Sequence, residues 1–179
     1  MNYQDILIFW FSETTQPLWF AKSEDFDHHI ETTYKTVHAQ AANAELWSWR
    51  RSAEGRLAEI LVLDQFSRNL YRNSPKAFAQ DGLALALAQE AISLQLDQQL
   101  SPEQRSFLYM PFMHSESKLM HEFALKLFQK LANPTNLEFE KKHKIIIDRF
   151  GRYPHRNEIL GRHSSAEEIA FLSEPNSSF

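Results

Sequence analysis

Apolar residues recur along this chain at helical spacing, and no segment alternates like a half-buried strand. Phe26, Ile30, Tyr34, Val37 and Ala41 follow one another at spacings of four, four, three and four. That makes one stripe on a helix turning about 100° per residue, and would scatter on a strand. Helix starts are marked by side-chain oxygens that can satisfy the orphan N–H groups of a first turn. Ser74-Pro75 and Ser101-Pro102 each put a cap before a proline, and Ser101/Gln104, Thr135/Glu138 and Ser165/Glu168 have capping-box spacing. Between these marks the pattern predicts helices over 3–11, 23–42, 53–71, 75–95, 102–114, 116–131, 136–150 and 165–172, with a short one over 44–50 and another beginning near His155 and ending at Gly161. Short polar links between them imply antiparallel neighbours. The expected fold class is all-α: an irregular array of stacked antiparallel helix hairpins, about eight to ten helices, in one domain over residues 1–179.

Composition narrows the chemistry. With 179 residues, 43% hydrophobic, the chain fits one globular domain. No cysteine is present, which removes thiolate nucleophiles, cysteine zinc sites and disulfides and fits a cytoplasmic setting. The net charge of −4 argues against nucleic acid as a partner, leaving only the basic run from Lys141 to His163 to touch it. The early apolar run Ile6–Phe11 follows Asp5 without a basic segment and is too short to span a bilayer. With Trp10, Phe11, Trp19 and Phe20 it reads as core, and no membrane partner is expected.

Polar residues inside apolar sectors are the informative ones, because a buried polar group needs a partner. On the 53–71 helix, Asp64, Gln65, Arg68, Asn69 and Arg72 share the sector that Leu57 and Leu61 occupy earlier. They form either a surface pairing or a buried polar face. Glu116 falls, on a helix drawn from 112 to 131, among Phe112, Leu119, Met120, Phe123 and Leu127. Burial alone would make it a proton donor, whereas an adjacent arginine would fix it as an anion. His143 shares a face with Phe139, Ile146, Ile147 and Phe150. It is either a satisfied core histidine or an acid–base group. The turn Gly151-Arg152-Tyr153-Pro154-His155-Arg156-Asn157, flanked by Arg149 and Arg162, is dense in donors and needs anions. Those are either protein carboxylates, with Asp64, Glu116 and Asp148 the candidates, or a ligand. Nucleophile elbows, phosphate-binding glycine loops and HExxH pairs are absent, and no metal site is nominated.

Four stretches together resemble a bacterial family known only as domain of unknown function 924. They are Ile8–Phe11, Leu63–Asn69, Tyr109–Glu116, and Arg149–Asn157 followed by Leu160-Gly161-Arg162. The resemblance implies an all-helical fold similar to tetratricopeptide-repeat arrays and carries no established activity or cofactor. Two positions depart from the family pattern. Ser67 stands where proline is usual, which should relax the helix locally, and Ser117 to His121 replace the usual Asp-Leu-x-x-Gln, which weakens any expected site role at position 121.

Two readings follow. In the first, a helical array encloses a polar site for a small anionic metabolite. Glu116 or His143 serves as acid or base, and Asp64, Arg68, Arg149, Arg152, His155, Arg156 and Asn157 bind the ligand. In the second, the array is an interaction scaffold for a peptide partner, and the same polar set only fixes hairpin packing.

Overall fold

A computed structural model describes residues 1–175, 177 and 178; the expected domain, drawn to 179, includes residues 176 and 179, which lie outside that set. All regular structure among the described residues is helical, without a strand, as the spacing predicts. The helices are α1 (Tyr3–Trp10), α2 (Glu24–Ala42), α3 (Ala53–Leu61), α4 (Ser67–Leu70), α5 (Asp81–Ser93), α6 (Pro102–Met113), α7 (Lys118–Leu131), α8 (Pro134–Phe150) and α9 (Ala166–Leu172). Two compact units divide the chain. One holds residues 1–72 and 76–111, the other 73–75 and 112–179.

In the first unit α3 is the central element, packing on α1, α5 and the 3₁₀ turn Trp47–Arg51. That turn occupies the place of the short helix expected over 44–50. The whole predicted stripe of α2 is buried. Trp10 and Phe66 lie at the centre of an aromatic cluster, Trp10 meeting Phe107 edge-on at 5.7 Å. The predicted 53–71 helix is interrupted: Val62–Phe66 form one π turn between α3 and α4, and every residue of that turn is buried. The helix predicted from Pro75 begins only at Asp81, because Pro75–Phe78 form a 3₁₀ turn. Gln80, without a side-chain cap bond, precedes Asp81.

In the second unit α7 and α8 form an antiparallel hairpin. Ala124 and Phe128 of α7 and Ile146 and Ile147 of α8 are buried, while Tyr153 and Phe171 close over the end of α8. α8 starts earlier than predicted. Asn133, not Thr135, is its cap, accepting from the Thr135 and Asn136 N–H groups at 3.1 and 3.2 Å. Gly151 ends it at φ +68°. The Ser101/Gln104 and Ser165/Glu168 boxes both form. The short helix expected from His155 is a single 3₁₀ turn, Pro154–Arg156, running on through turns to Gly161 at φ +65°.

The cap assignment is testable by urea unfolding: Asn133→Ala should cost about 1 kcal/mol, and Thr135→Ala less than about 0.5 kcal/mol.

Candidate functional site

α6 ends at Met113 and α7 begins at Lys118, so Glu116 lies in the link between them and not on a helix face. The helix drawn through 112–131 is broken there. Leu119 and Phe123, expected beside Glu116 in the core, are 60% and 47% exposed. Glu116 nonetheless turns inward. Its Oε1 accepts the Tyr153 N–H at 2.7 Å, and Arg162 grips both oxygens at 2.7 and 2.9 Å. Burial pushes the carboxyl up. The Arg162 hydrogen bonds, the Tyr153 N–H and the charges of Arg162 and Arg156 outweigh that and hold it below its usual range. Of its two expected roles, geometry gives it the fixed anion.

His143 is buried on α8 with Ile146 and Ile147, but Phe139 of the same predicted face is 45% exposed. Its Nδ1–H donates to the Phe139 carbonyl four residues back at 2.8 Å. That leaves Nε2 the acceptor of a neutral ring. Burial is the main reason its pKa falls to about 3, and the nearby charges of His114, His121 and Arg156 add to it.

These groups meet at Tyr153, which has no exposed surface. The Arg156 guanidinium lies 4.6 Å from the ring centroid, His155 is tilted at 5.5 Å, and His143 and His121 approach edge-on at 5.7 and 6.3 Å. The tyrosine hydroxyl donates to the Met113 carbonyl at 2.5 Å. Asn157 is buried beneath, accepting from Arg162 Nε at 2.9 Å and donating to Ser164 Oγ at 3.1 Å. His114, Ser115, Glu116 and His155 are half-buried, whereas Tyr153, His143 and Arg156 are buried.

The other predicted residues lie elsewhere. Arg149 pairs with Glu167 at 2.9 Å on the surface and stacks on Phe150 and Phe171. Arg152 is bidentate on Glu168 at 2.6 and 2.8 Å and also donates to the His163 carbonyl. Arg152's hydrogen bonds, helped by the Ser165 N–H and Asn157 against burial, hold Glu168 down at about 2. Asp64 and Arg68 belong to the first unit. There Arg68 bridges Asp64 at 3.1 Å and, bidentately, Asp81 at 3.0 and 3.2 Å. The carboxylates expected on the arginine turn were thus only partly placed: Glu116 is there, Asp148 pairs with Lys144, and α9 supplies Glu167 and Glu168.

Sequence reasoning missed His121 and Glu140. Both were legible, since 121, 124 and 128 form a buried stripe of α7 and Glu140 shares the face of His143 and Ile147 on α8. The expected absence of a site role at 121 meets a wholly buried ring bonded at both nitrogens. Among the described residues no group of three or more histidine or acidic side chains is arranged to hold a metal ion, and no helix is long and apolar enough to cross a membrane.

Comparison with known proteins places this geometry in context. The profile of a family described as "Bacterial protein of unknown function (DUF924)" matches residues 6–176. A solved structure of a protein of unknown function from Agrobacterium tumefaciens is similar at 39% identity, with a TM-score of 0.91 and 96% of each chain covered. No curated protein matches the chain.

His143 gives the site a measurable signature. Its pKa is about 3 in the fold, against about 6.5 unfolded, so its contribution to stability is present above the unfolded value and is lost as pH falls toward the folded one. The slope approaches about 1.4 kcal/mol per pH unit where only the unfolded ring is protonated. Asn carries its amide where Nδ1 sits, so His143→Asn should keep the Phe139 bond and flatten this loss between about pH 6 and pH 4 in denaturant titrations.

Proposed function

The chain belongs to this family of bacterial proteins of unknown function, and within it we propose that the second unit binds a small anionic metabolite, a carboxylate or a phosphate, beside a base. The supporting observation is the company around Tyr153: Arg156 and three imidazoles gathered on one buried ring, of which His155 is only half-buried. Packing alone favours apolar residues at such positions, because burying donors and cations costs desolvation that their contacts only partly return. The charge of Arg156 acts on both the fixed anion Glu116 and the neutral ring of His143.

The roles follow from charge. Arg156 and His155 meet the anion. Glu116 aims Arg162 and holds the turn through the Tyr153 N–H. His143, neutral and with Nε2 as acceptor, is the proton-accepting group, and an anion arriving nearby raises its basicity. Binding is therefore coupled to proton uptake. Absence of cysteine and the reducing setting it suits make the cytoplasm the proposed location.

A peptide-binding scaffold is the second reading. It is favoured by the carboxylates that Arg149, Arg152 and Arg162 already carry.

Thermal unfolding in the presence of inorganic phosphate and small mono- and dicarboxylates separates the two. The first reading expects stabilisation rising with concentration, about 2.7 kcal/mol at a hundredfold excess over Kd. It should be stronger at lower pH, abolished in Arg156→Ala and kept in Arg149→Ala. No stabilisation by any anion, together with a peptide partner that is still captured by Glu116→Gln, would leave the scaffold standing.

A further inference from the structure

His121 of α7 and Glu140 of α8 face each other with 0% of either side chain exposed. Both nitrogens of the imidazole look at oxygen: Nδ1 lies 2.8 Å from Glu140 Oε1, and Nε2 lies 2.9 Å from the Ser115 carbonyl. A carbonyl can only accept, so Nε2 carries a hydrogen. The short Nδ1 to Oε1 contact then needs one more proton between a lone pair and a carboxyl oxygen, on one side or the other. The second carboxyl oxygen, Oε2, is buried with no hydrogen-bond partner among the described residues. An ionised carboxylate would leave that half of its charge unsolvated.

We infer that His121 and Glu140 share a single proton and that this pair is the positioning device of the anion site, holding the link 114–117 through the Ser115 carbonyl. The consequence for ligand rests on the function proposed above; the proton itself does not. Ser115 sits between His114 and Glu116, so the bond from Nε2 sets where those three residues stand. The Tyr153 hydroxyl lies 3.3 Å from the same nitrogen, tying the pair to the buried ring.

The groups that bear on the pair are few. Burial raises the Glu140 pKa; His121 and the Lys144 charge oppose it, and Asp148 adds to it. The Tyr153 hydroxyl and the His143 ring complete the surroundings of His121. A carboxyl whose folded pKa is raised stays protonated further up the pH scale, so the shared proton is present below the folded pKa and is lost as pH rises through it. Once it is gone, one ring hydrogen is left for two oxygens: carried on Nδ1 it serves the carboxylate, and Nε2 releases the Ser115 carbonyl.

Glu140→Gln separates proton from shape, because the amide donates permanently to Nδ1 while Nε2–H still meets Ser115, and nothing titrates. Ring ¹H–¹⁵N spectra of the labelled full chain, with the backbone amides of residues 115–117, should be followed as pH is raised. In the unaltered chain Nδ1 and those amides should change together in one step as Nε2 loses its hydrogen; in Glu140→Gln the step should vanish and the Nε2–H tautomer persist. Phosphate affinity should fall at least threefold across the step in the unaltered chain and stay level in the variant. The same step in Glu140→Gln, or amides that ignore the Nδ1 transition, would overturn the pair. If the variant fails to fold, coincidence or separation of the two midpoints in the unaltered chain decides. A chain that shows the step yet gains no stability from any anion keeps the pair and loses the proposed function.

Discussion

Burying Tyr153 completely is the constraint on which the second unit depends. Its N–H, carbonyl, hydroxyl and ring each need a partner once water is excluded, and each partner is a different residue. The N–H goes to Glu116 before α7, the carbonyl accepts from Arg162 beyond the turn, and the hydroxyl reaches the end of α6 at Met113. The ring face takes the Arg156 cation. One residue thus ties the chain at 113–116 to the turn over 153–162. Those stretches include two of the motifs by which the family is known, which explains in physical terms why they travel together in one sequence.

The cations around that residue divide by what they touch. Arg149 and Arg152 reach α9, and Glu168 serves twice there, closing the capping box with Ser165 while receiving Arg152. Arg162 is given to Glu116. In the Arg152–Glu168 and Arg162–Glu116 pairs, removal of one side would strand the other, which makes them locks on the chain path. The imidazoles differ in kind. His143 is kept neutral by burial and satisfied at one nitrogen by its own helix.

Much of the fold was legible because its signals are local. The α2 stripe and the Ser101 and Ser165 caps depend only on residues within a turn or two, and all formed. Thr135 failed as a cap because Asn133, two residues earlier and followed by proline, starts the helix and leaves Thr135 inside its first turn. Glu116 was found inward for a wrong reason: α6 runs through Pro111 to Met113, and the link after it breaks the helix on which the angle was drawn, so Leu119 and Phe123 face out. What pulls it in is Arg162, 46 positions away, a pairing that periodicity cannot reveal. His121 and Glu140 fell on readable faces, yet their meaning comes from facing one another across two helices. Arginine partners were the least legible, since any of several carboxylates would have matched by charge alone.

The first unit shows what the same residue types do when their purpose is closure. Ser67 is buried and donates to the Leu63 carbonyl at 2.6 Å, while His38 Nε2 lies 2.8 Å from its oxygen, so the hydroxyl hydrogen is spent on the backbone and His38 is the donor to it. That pair is a strap across the π turn rather than a nucleophile with its base. Arg68 gathers Asp64 and Asp81, and Arg72 with Asn69 encloses Asp27. Each polar sector there balances cation against carboxylate at close range. Around Tyr153 the composition differs: three imidazoles and the Arg156 guanidinium surround one ring, with Glu116 on its N–H and Glu140 behind His121.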